Sequence, residues 1–146
     1  MADYFTNFSL ILPLPSKEAQ AYALDLHAQA RGIYQGEEKP DNFPKSLLSV
    51  AEDYWNFDTE PDEPGESCDL WLHSEYGGID AVCAFIQHLL RKFNPTGHLG
   101  FEWSHDCSRP RTDAYGGGAA LVTARTVKVM NTGDWLHKKT ASCIRV

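Results

Sequence analysis

The sequence predicts an α+β fold: a mainly antiparallel sheet of about five or six strands, with two main helices on one face and a short C-terminal helix. Three observations support this. Strand-like segments with apolar residues at every second position recur, two segments have apolar residues at helical spacing, and glycine- and proline-rich turns separate them. With 146 residues, the chain has the length of one domain. We expect a single domain over residues 1–140 and a flexible tail at 141–146.

The first half of the chain is predicted to form strands around one long helix. Residues 4–12 are aromatic and aliphatic and stop before Pro13, as a strand would. Ser16 is a suitable N-cap for a helix with one apolar face between Tyr22 and Ile33. A short helix after Pro44 is expected next, followed by strands at 54–58 and 68–74 that flank the exposed loop EPDEPGES.

The second half contains the clearest helix of the sequence. Its apolar side has helical spacing and consists of Val82, Phe85, Ile86, Leu89, Leu90 and Phe93. With a strand at 99–105 it forms a crossover unit, in which another strand could lie between the two that it joins. Strands at 119–123 and 127–130 follow, and Thr132 is expected to cap a last helix around Trp135 and Leu136.

The charge of the chain is unevenly distributed. The net charge is −7, and residues 37–69 contain eleven acids and two lysines, whereas the remainder contains nine acids and eleven basic residues. Such an acidic patch disfavours direct binding to nucleic acid or to anionic membranes. There is no run of eighteen apolar residues, and no basic segment precedes the short apolar stretch at the N-terminus. We therefore expect a cytoplasmic protein with four reduced cysteines.

The acidic patch is the first candidate binding site. Acids on the predicted short helix and hairpin lie beside aromatic residues; they are Glu52, Asp53, Asp58, Glu60, Asp62, Glu63 and Glu66. Most acidic runs only keep a protein soluble. Acids held on regular structure with aromatics between them can also dock into a basic cleft, including one built for nucleic acid. The expected binding residues are Glu60, Asp62, Glu63, Glu66 and Trp55.

The polar segment between the strands at 99–105 and 119–123 is the second candidate. It contains Arg109, Arg111 and three consecutive glycines, Gly116, Gly117 and Gly118. Glycines are expected where the chain needs a positive φ or where something approaches the backbone closely. Guanidinium groups and backbone amides suit an anion, but YGGGAA lacks the lysine and the helix of a P-loop. We favour a structural role, in which an arginine pairs with Asp106 or Asp113.

Two chemical alternatives involve the cysteines. Cys107 could be a nucleophile with His105, His73 or Glu75 as its base, although no known nucleophile signature surrounds it. Cys68 and His73, with His105 and Cys107, could supply four zinc ligands, but their spacing fits no standard zinc site. The prediction is therefore that the protein has no catalytic residue, no metal and no cofactor.

Two segments resemble a group of small proteins from bacteria and their phages, plasmids and integrative elements. They are LWLHSEYGGIDAVCAFIQHLLRKF and FEWSHDCSRPRTDAYGGGAALVTARTVKVMNTGDWL, and the second contains the motif W-x-x-x-C-S-x-P-R-x-x-x-[FY]-G-G-G-A. The resemblance covers about half of the chain, residues 70–136, and implies no activity and no catalytic residue. The resemblance implies that the protein is accessory cargo of a mobile element. Such cargo often acts against host defence by binding a protein.

The expected function is that of a small acidic, non-enzymatic binding protein. It would inhibit or regulate a protein partner with a basic surface, as an anti-CRISPR or anti-restriction protein does. The alternative is a small enzyme, or an anion- or nucleotide-binding protein, centred on the loop from Cys107 to Gly118.

Overall fold

The structure of the chain, a computed structural model, describes residues 2–63 and 65–143. The elements are β1 (Tyr4–Leu12), α1 (Lys17–Tyr34), a 3₁₀ turn (Lys45–Leu47), α2 (Leu48–Asp53), β2 (Asp58–Pro61), β3 (Leu70–Ser74), α3 (Ile79–Phe93), β4 (His98–Cys107), β5 (Gly116–Thr123), β6 (Val127–Asn131) and α4 (Thr132–Ala141). They form an α+β fold with one six-stranded sheet and a short C-terminal helix, as the sequence predicts.

The strand order in the sheet is β2-β3-β1-β4-β5-β6, and every neighbouring pair is antiparallel. β3, α3 and β4 form the predicted crossover unit, and β1 is the strand that lies between β3 and β4. β1 and β4 therefore occupy the centre, whereas β2 and β6 are the two edges.

Both main helices pack on the same face of the sheet. α1 and α3 bury their apolar residues in one cluster with Phe8 and Leu10 of β1 and with Phe101 and Trp103 of β4. The Oγ of Ser16 accepts a hydrogen bond from the Ala19 amide at 3.1 Å, so the predicted N-cap of α1 is confirmed. Burial of one apolar face on each helix supplies the main driving force for this packing.

The second strand begins later than the sequence predicts. β2 starts at Asp58, and the expected strand at 54–58 is wrong because Trp55 and Phe57 are fully buried in the core. The Trp55 Nε1–H donates to His27 Nδ1 at 2.9 Å, and the Trp55 ring packs edge-on against Phe85. Residues 55–57 carry these two aromatic side chains into the core, and the edge strand β2 begins directly after them.

The three glycines belong to a strand, which corrects their placement in a polar loop. Gly117 and Gly118 pair with Ser104 and Trp103 of β4. Of the three, only Gly116 has a positive φ, at +132°. A Cβ on Gly117 would overlap with the Trp103 carbonyl oxygen, and a Cβ on Gly118 would overlap with the Trp103 ring. Close approach of Trp103 therefore explains two of the glycines.

The C-terminal helix is present but is capped differently from the prediction. Asn131 is the N-cap of α4, and its Oδ1 accepts from the Asp134 amide at 2.7 Å. Thr132 instead accepts a hydrogen bond through its Oγ1 from the Gly117 amide at 3.0 Å. No residue of α4 is buried. Of the expected tail, residues 144–146 lie outside the described residues.

Among the described residues, no helix combines the length and the apolar character that crossing a bilayer would require.

Candidate functional site

The sheet has a second face, opposite α1 and α3, whose side chains are exposed to solvent. We call it the open face. Antiparallel register places alternate residues of neighbouring strands on the same side, so its members follow from the pairing. They include Ser9, Ile11, Asp58, Glu60, Trp71, His73, Glu102, Ser104, Asp106, Leu121, Lys128 and Met130.

A hydrogen-bonded cluster lies on the open face, on β1, β2 and β3. The Trp71 Nε1–H donates to Ser9 Oγ at 2.8 Å. The Trp71 ring stacks on the His73 ring, with 3.9 Å between centroids and 23° between planes. The His73 Nε2–H donates to Glu60 Oε2 at 2.9 Å. Each of these polar side chains is therefore held in one orientation by a neighbouring strand.

A shallow depression of about 500 Å³ lies beside this cluster. Its lining includes the polar or aromatic side chains of Asn7, Ser9, Asp58, His73, Glu75 and Tyr76. Tyr76 is fixed through its backbone, because its amide donates to Ser74 Oγ and its carbonyl accepts from Asn56 Nδ2, each at 2.9 Å. Its ring is two-thirds exposed, with 67% of its surface accessible. The depression therefore combines carboxylates with an exposed aromatic ring.

A second depression of about 570 Å³ continues the open face across β1, β4 and β5. Ser9 lines both depressions, and Ile11, Glu102 and Ala119 line the second one. The two depressions together form one shallow surface. Pockets for small ligands are deeper and largely apolar, so this surface better fits contact with a protein partner.

The charge of the open face is strongly acidic. Asp58, Glu60, Glu75, Glu102 and Asp106 lie on it or line its first depression, against one base, Lys128. In the part of the chain that the structure describes, the ion pair of a permanently charged base is Arg31 with Asp58 at 2.9 Å, and the His73–Glu60 pair, also at 2.9 Å, carries two charges only when the imidazole is protonated. The carboxylates of Glu75 and Glu102 are in neither pair, so their charge is available to an incoming cation.

The residues predicted from the acidic patch are divided by the structure. Glu60 lies on β2 and belongs to the open face through its bond to His73. Glu63 and Glu66 are exposed in the connection from β2 to β3, and Asp62 is half-buried there. Trp55 is fully buried, so the expectation that its ring lies between the acids on the surface is wrong. Exposed aromatic residues near the acids are Tyr54, Trp71 and Tyr76.

The predicted ion pairs of the arginine loop are also absent from the described residues. Arg109, Arg111 and Asp113 are all exposed, and neither arginine is in an ion pair. The loop is instead held by Ser108, whose amide donates to the Asp3 carbonyl and whose Oγ accepts from the Asp3 amide, both at 2.8 Å. Hydrogen bonds between Ser108 and the backbone of Asp3, rather than ion pairs, therefore fix the loop.

The side chains considered for catalysis or zinc binding do not converge. His73 on β3 and His105 on β4 are separated by β1, a distance of roughly 10 Å across two strand spacings. His105 Nδ1 shares a hydrogen bond with Thr6 Oγ1 at 2.9 Å, and the Cys107 side chain is buried. Within residues 2–63 and 65–143, no three side chains of metal-ligating type form a group.

Thiol accessibility gives a direct check on a nucleophilic role for Cys107. We expect native protein to react with iodoacetamide first at Cys143, which is exposed, and much more slowly at Cys107 and Cys83, which are buried. Burial, with the charge of Asp80, also raises the pKa of Cys83 to about 12, so its thiolate is scarce. Mass spectrometry of timed samples measures the order. Rapid alkylation of Cys107 would contradict it and would favour the enzyme alternative.

Sequence reasoning missed most of the open face. Ser9, Trp71, Glu75, Tyr76 and Glu102 carry it, and none was selected as a binding residue. Alternation within β1 and β3 indicates that some of these positions point away from the core. Only the register between the strands shows that they lie together.

Comparison of this chain with protein-family models, with curated proteins and with solved structures found no match, so its function is inferred from its own residues.

Proposed function

We propose that this protein is a non-enzymatic binding protein that holds a partner with a basic surface against its open face. One observation carries the proposal. A whole face of the sheet is exposed, and it combines several carboxylates with the rings of Trp71 and Tyr76. Antiparallel sheets commonly leave one face to solvent, so the exposed rings among the carboxylates, rather than the exposure itself, favour a binding surface.

The first depression has the chemistry to accept an arginine or lysine side chain of the partner. Asp58 and Glu75 line it, Glu60 is one hydrogen bond away through His73, and Tyr76 offers an aromatic face. Carboxylates form charge-assisted hydrogen bonds with guanidinium groups, and an aromatic ring adds a cation–π contribution. A basic side chain inserted here would be the anchor of the interface.

The second depression contributes apolar contact area to the same partner. Ile11, which lines it, is 40% exposed, and Ala119 on β5 lies opposite Glu102 on β4. Apolar residues next to charged ones favour a folded protein surface over a nucleic acid, whose phosphates the carboxylates would repel. A partner that uses its basic surface to bind nucleic acid would be blocked by this contact. That this protein acts in this way as an anti-CRISPR or anti-restriction protein stays a prediction.

Charge reversal separates the open face from the other acidic regions. We expect Glu75→Lys with Glu102→Lys to weaken binding of a blocked decapeptide of alternating arginine and leucine by at least about tenfold, since it removes two carboxylates that touch the basic side chains. Each substituted side chain is exposed, so folding should be nearly unchanged. Binding is measured by the fluorescence of Trp71 in a Trp135→Phe background, which removes the other exposed tryptophan, and it should weaken as salt screens the charges.

Two controls carry the same change in net charge. Glu38→Lys with Asp41→Lys alters an exposed loop before α2, and Glu63→Lys with Glu66→Lys alters the β2–β3 connection. Both pairs should retain most of the affinity. If all three double variants lose it equally, the peptide responds only to net charge and the proposal fails. If the Glu63 and Glu66 variant loses most, the β2–β3 connection rather than the open face is the binding site.

A further inference from the structure

The two edges of the sheet differ in how well they are protected against pairing with another chain. β2 has four residues, ends in Pro61 and carries Asp58 and Glu60. The Arg31 side chain also binds at its start, donating to the Phe57 carbonyl and to Asp58. Short length, proline, charge and a covering side chain are the devices by which proteins block an edge strand.

The opposite edge, β6, lacks these devices. Its sequence is VKVMN, which contains two β-branched residues, no proline and one charge. It pairs with β5 on one side, and in the described part of the chain no strand pairs with its other side. Alternate N–H and C=O groups of such a strand point outward and can accept a further strand.

Apolar side chains border this open edge. On β6, Val129 and Met130 are 54% and 50% exposed, and on α4 the values for Trp135 and Leu136 are 56% and 60%. Met130 and Val129 also line a shallow, almost entirely apolar depression of about 300 Å³ with Leu121. The edge therefore offers both a backbone ladder and an apolar depression for side chains, the two components of strand addition.

The charge of this region is opposite to that of the rest of the protein. Residues 124–143 contain four basic side chains, Arg125, Lys128, Lys138 and Lys139, and one acid, Asp134. Asp134 is occupied within its own helix, where its Oδ2 accepts from Asn131 Nδ2 at 2.8 Å. Two copies of this chain would bring like charges together at a β6–β6 contact, whereas an acidic strand would be attracted.

We infer that β6 and α4 form a second binding site, which accepts an extended acidic segment of another protein as a seventh strand of the sheet. The backbone of β6 supplies the hydrogen bonds. Val129, Met130 and Trp135 contact the apolar side chains of the segment, and the surrounding lysines attract its carboxylates. This site is centred on the β6 edge and shares Lys128 and Met130 with the border of the open face, but it takes a ligand of the opposite charge.

Hydrogen exchange tests the inference residue by residue. A blocked decapeptide of alternating valine and glutamate should slow exchange of the outward amides in residues 127–131, because they become hydrogen-bonded. The matched peptide of alternating valine and lysine should leave these amides unchanged, even if it binds elsewhere on this acidic protein. Trp135 fluorescence should respond to the first peptide, and this is best read in a Trp71→Phe background that removes the other exposed tryptophan.

Charge reversal again provides the matched variants. Lys128→Glu with Lys138→Glu should weaken binding of the valine–glutamate peptide by roughly tenfold or more, whereas Lys39→Glu with Lys45→Glu, also exposed, should not. Three results would overturn the inference: no protection of β6 by the acidic peptide, equal protection by both peptides, or protection of β6 in the protein alone at concentrations where sedimentation shows a dimer. The last result would assign the edge to a second copy of the chain.

Discussion

Replacing Gly118 or Gly117 with valine should destabilise the protein by about 3 kcal/mol or more, at the upper end of the range for overpacking. The new side chain on Gly117 would collide with the carbonyl oxygen of Trp103, and that on Gly118 with the Trp103 ring and the carbonyl of Met130. Backbone atoms of a paired strand cannot move aside without breaking the β4–β5 or β5–β6 ladder. Since the whole stability of a domain is about 5–15 kcal/mol, a large fall in melting temperature is expected.

Gly100 provides the matched control in the same sheet. A Cβ there would meet its nearest atom, the Ala120 carbonyl oxygen, at 3.7 Å, an ordinary contact. Gly100→Val should therefore leave the melting temperature unchanged or raise it slightly, because valine restricts the unfolded chain and favours strands. Equal melting temperatures for Gly100→Val and Gly118→Val would contradict the close approach of Trp103. The glycines would then be better explained by a ligand than by packing.

The protein should lose roughly 2 kcal/mol of stability between pH 7 and pH 5 through His27 alone. Burial in the aromatic core, with the charge of Arg31, lowers the pKa of His27 to about 4 from its ordinary 6.5. The unfolded chain therefore binds a proton as the pH falls below 6.5, and the folded chain does so only near pH 4. This contribution is complete above pH 6.5 and is lost progressively as the pH falls toward 4.

His27→Gln isolates this effect, since a glutamine amide oxygen can still accept the hydrogen bond from Trp55 Nε1–H but does not titrate. The free energy of unfolding, measured with urea at several pH values, should fall less steeply in the variant. Burial also lowers the pKa of His88, and Lys92 and Arg91 add to that shift, so a smaller slope of the same sign should remain. Parallel curves for wild type and variant would show that His27 is not buried as a neutral ring.

Two expectations about the acidic candidate site came from the sequence: where its acids lie in the chain, and that an aromatic ring lies among them. Acids do concentrate in residues 37–69, since that depends only on composition along the chain, but the fold divides them between the open face and exposed loops. The aromatic residue predicted to lie among them, Trp55, is buried, while Trp71 is exposed. Both lie in short apolar segments, and a short segment does not indicate which of its faces will meet the helices.

The arginine loop shows a second limit of sequence reasoning. Arg109 and Arg111 stand near Asp106 and Asp113 in the chain, which made ion pairs plausible. Exposed pairs contribute little, because water solvates each charge almost as well as its partner does. The backbone hydrogen bonds between Ser108 and Asp3, which join residues more than a hundred positions apart, could not be predicted from local composition.

The sequence by itself determined the α+β class, the positions of α1 and α3, the cap at Ser16 and the acidic imbalance, because each depends on local periodicity, capping or composition. Tertiary structure decided the rest. The register of β1, β2 and β3 brought Ser9, Glu60, Trp71 and His73 together on the open face, and the pairing of β5 with Trp103 gave two glycines their role. Strand register depends on contacts between distant segments, since a shift of one residue exchanges the two faces of a sheet.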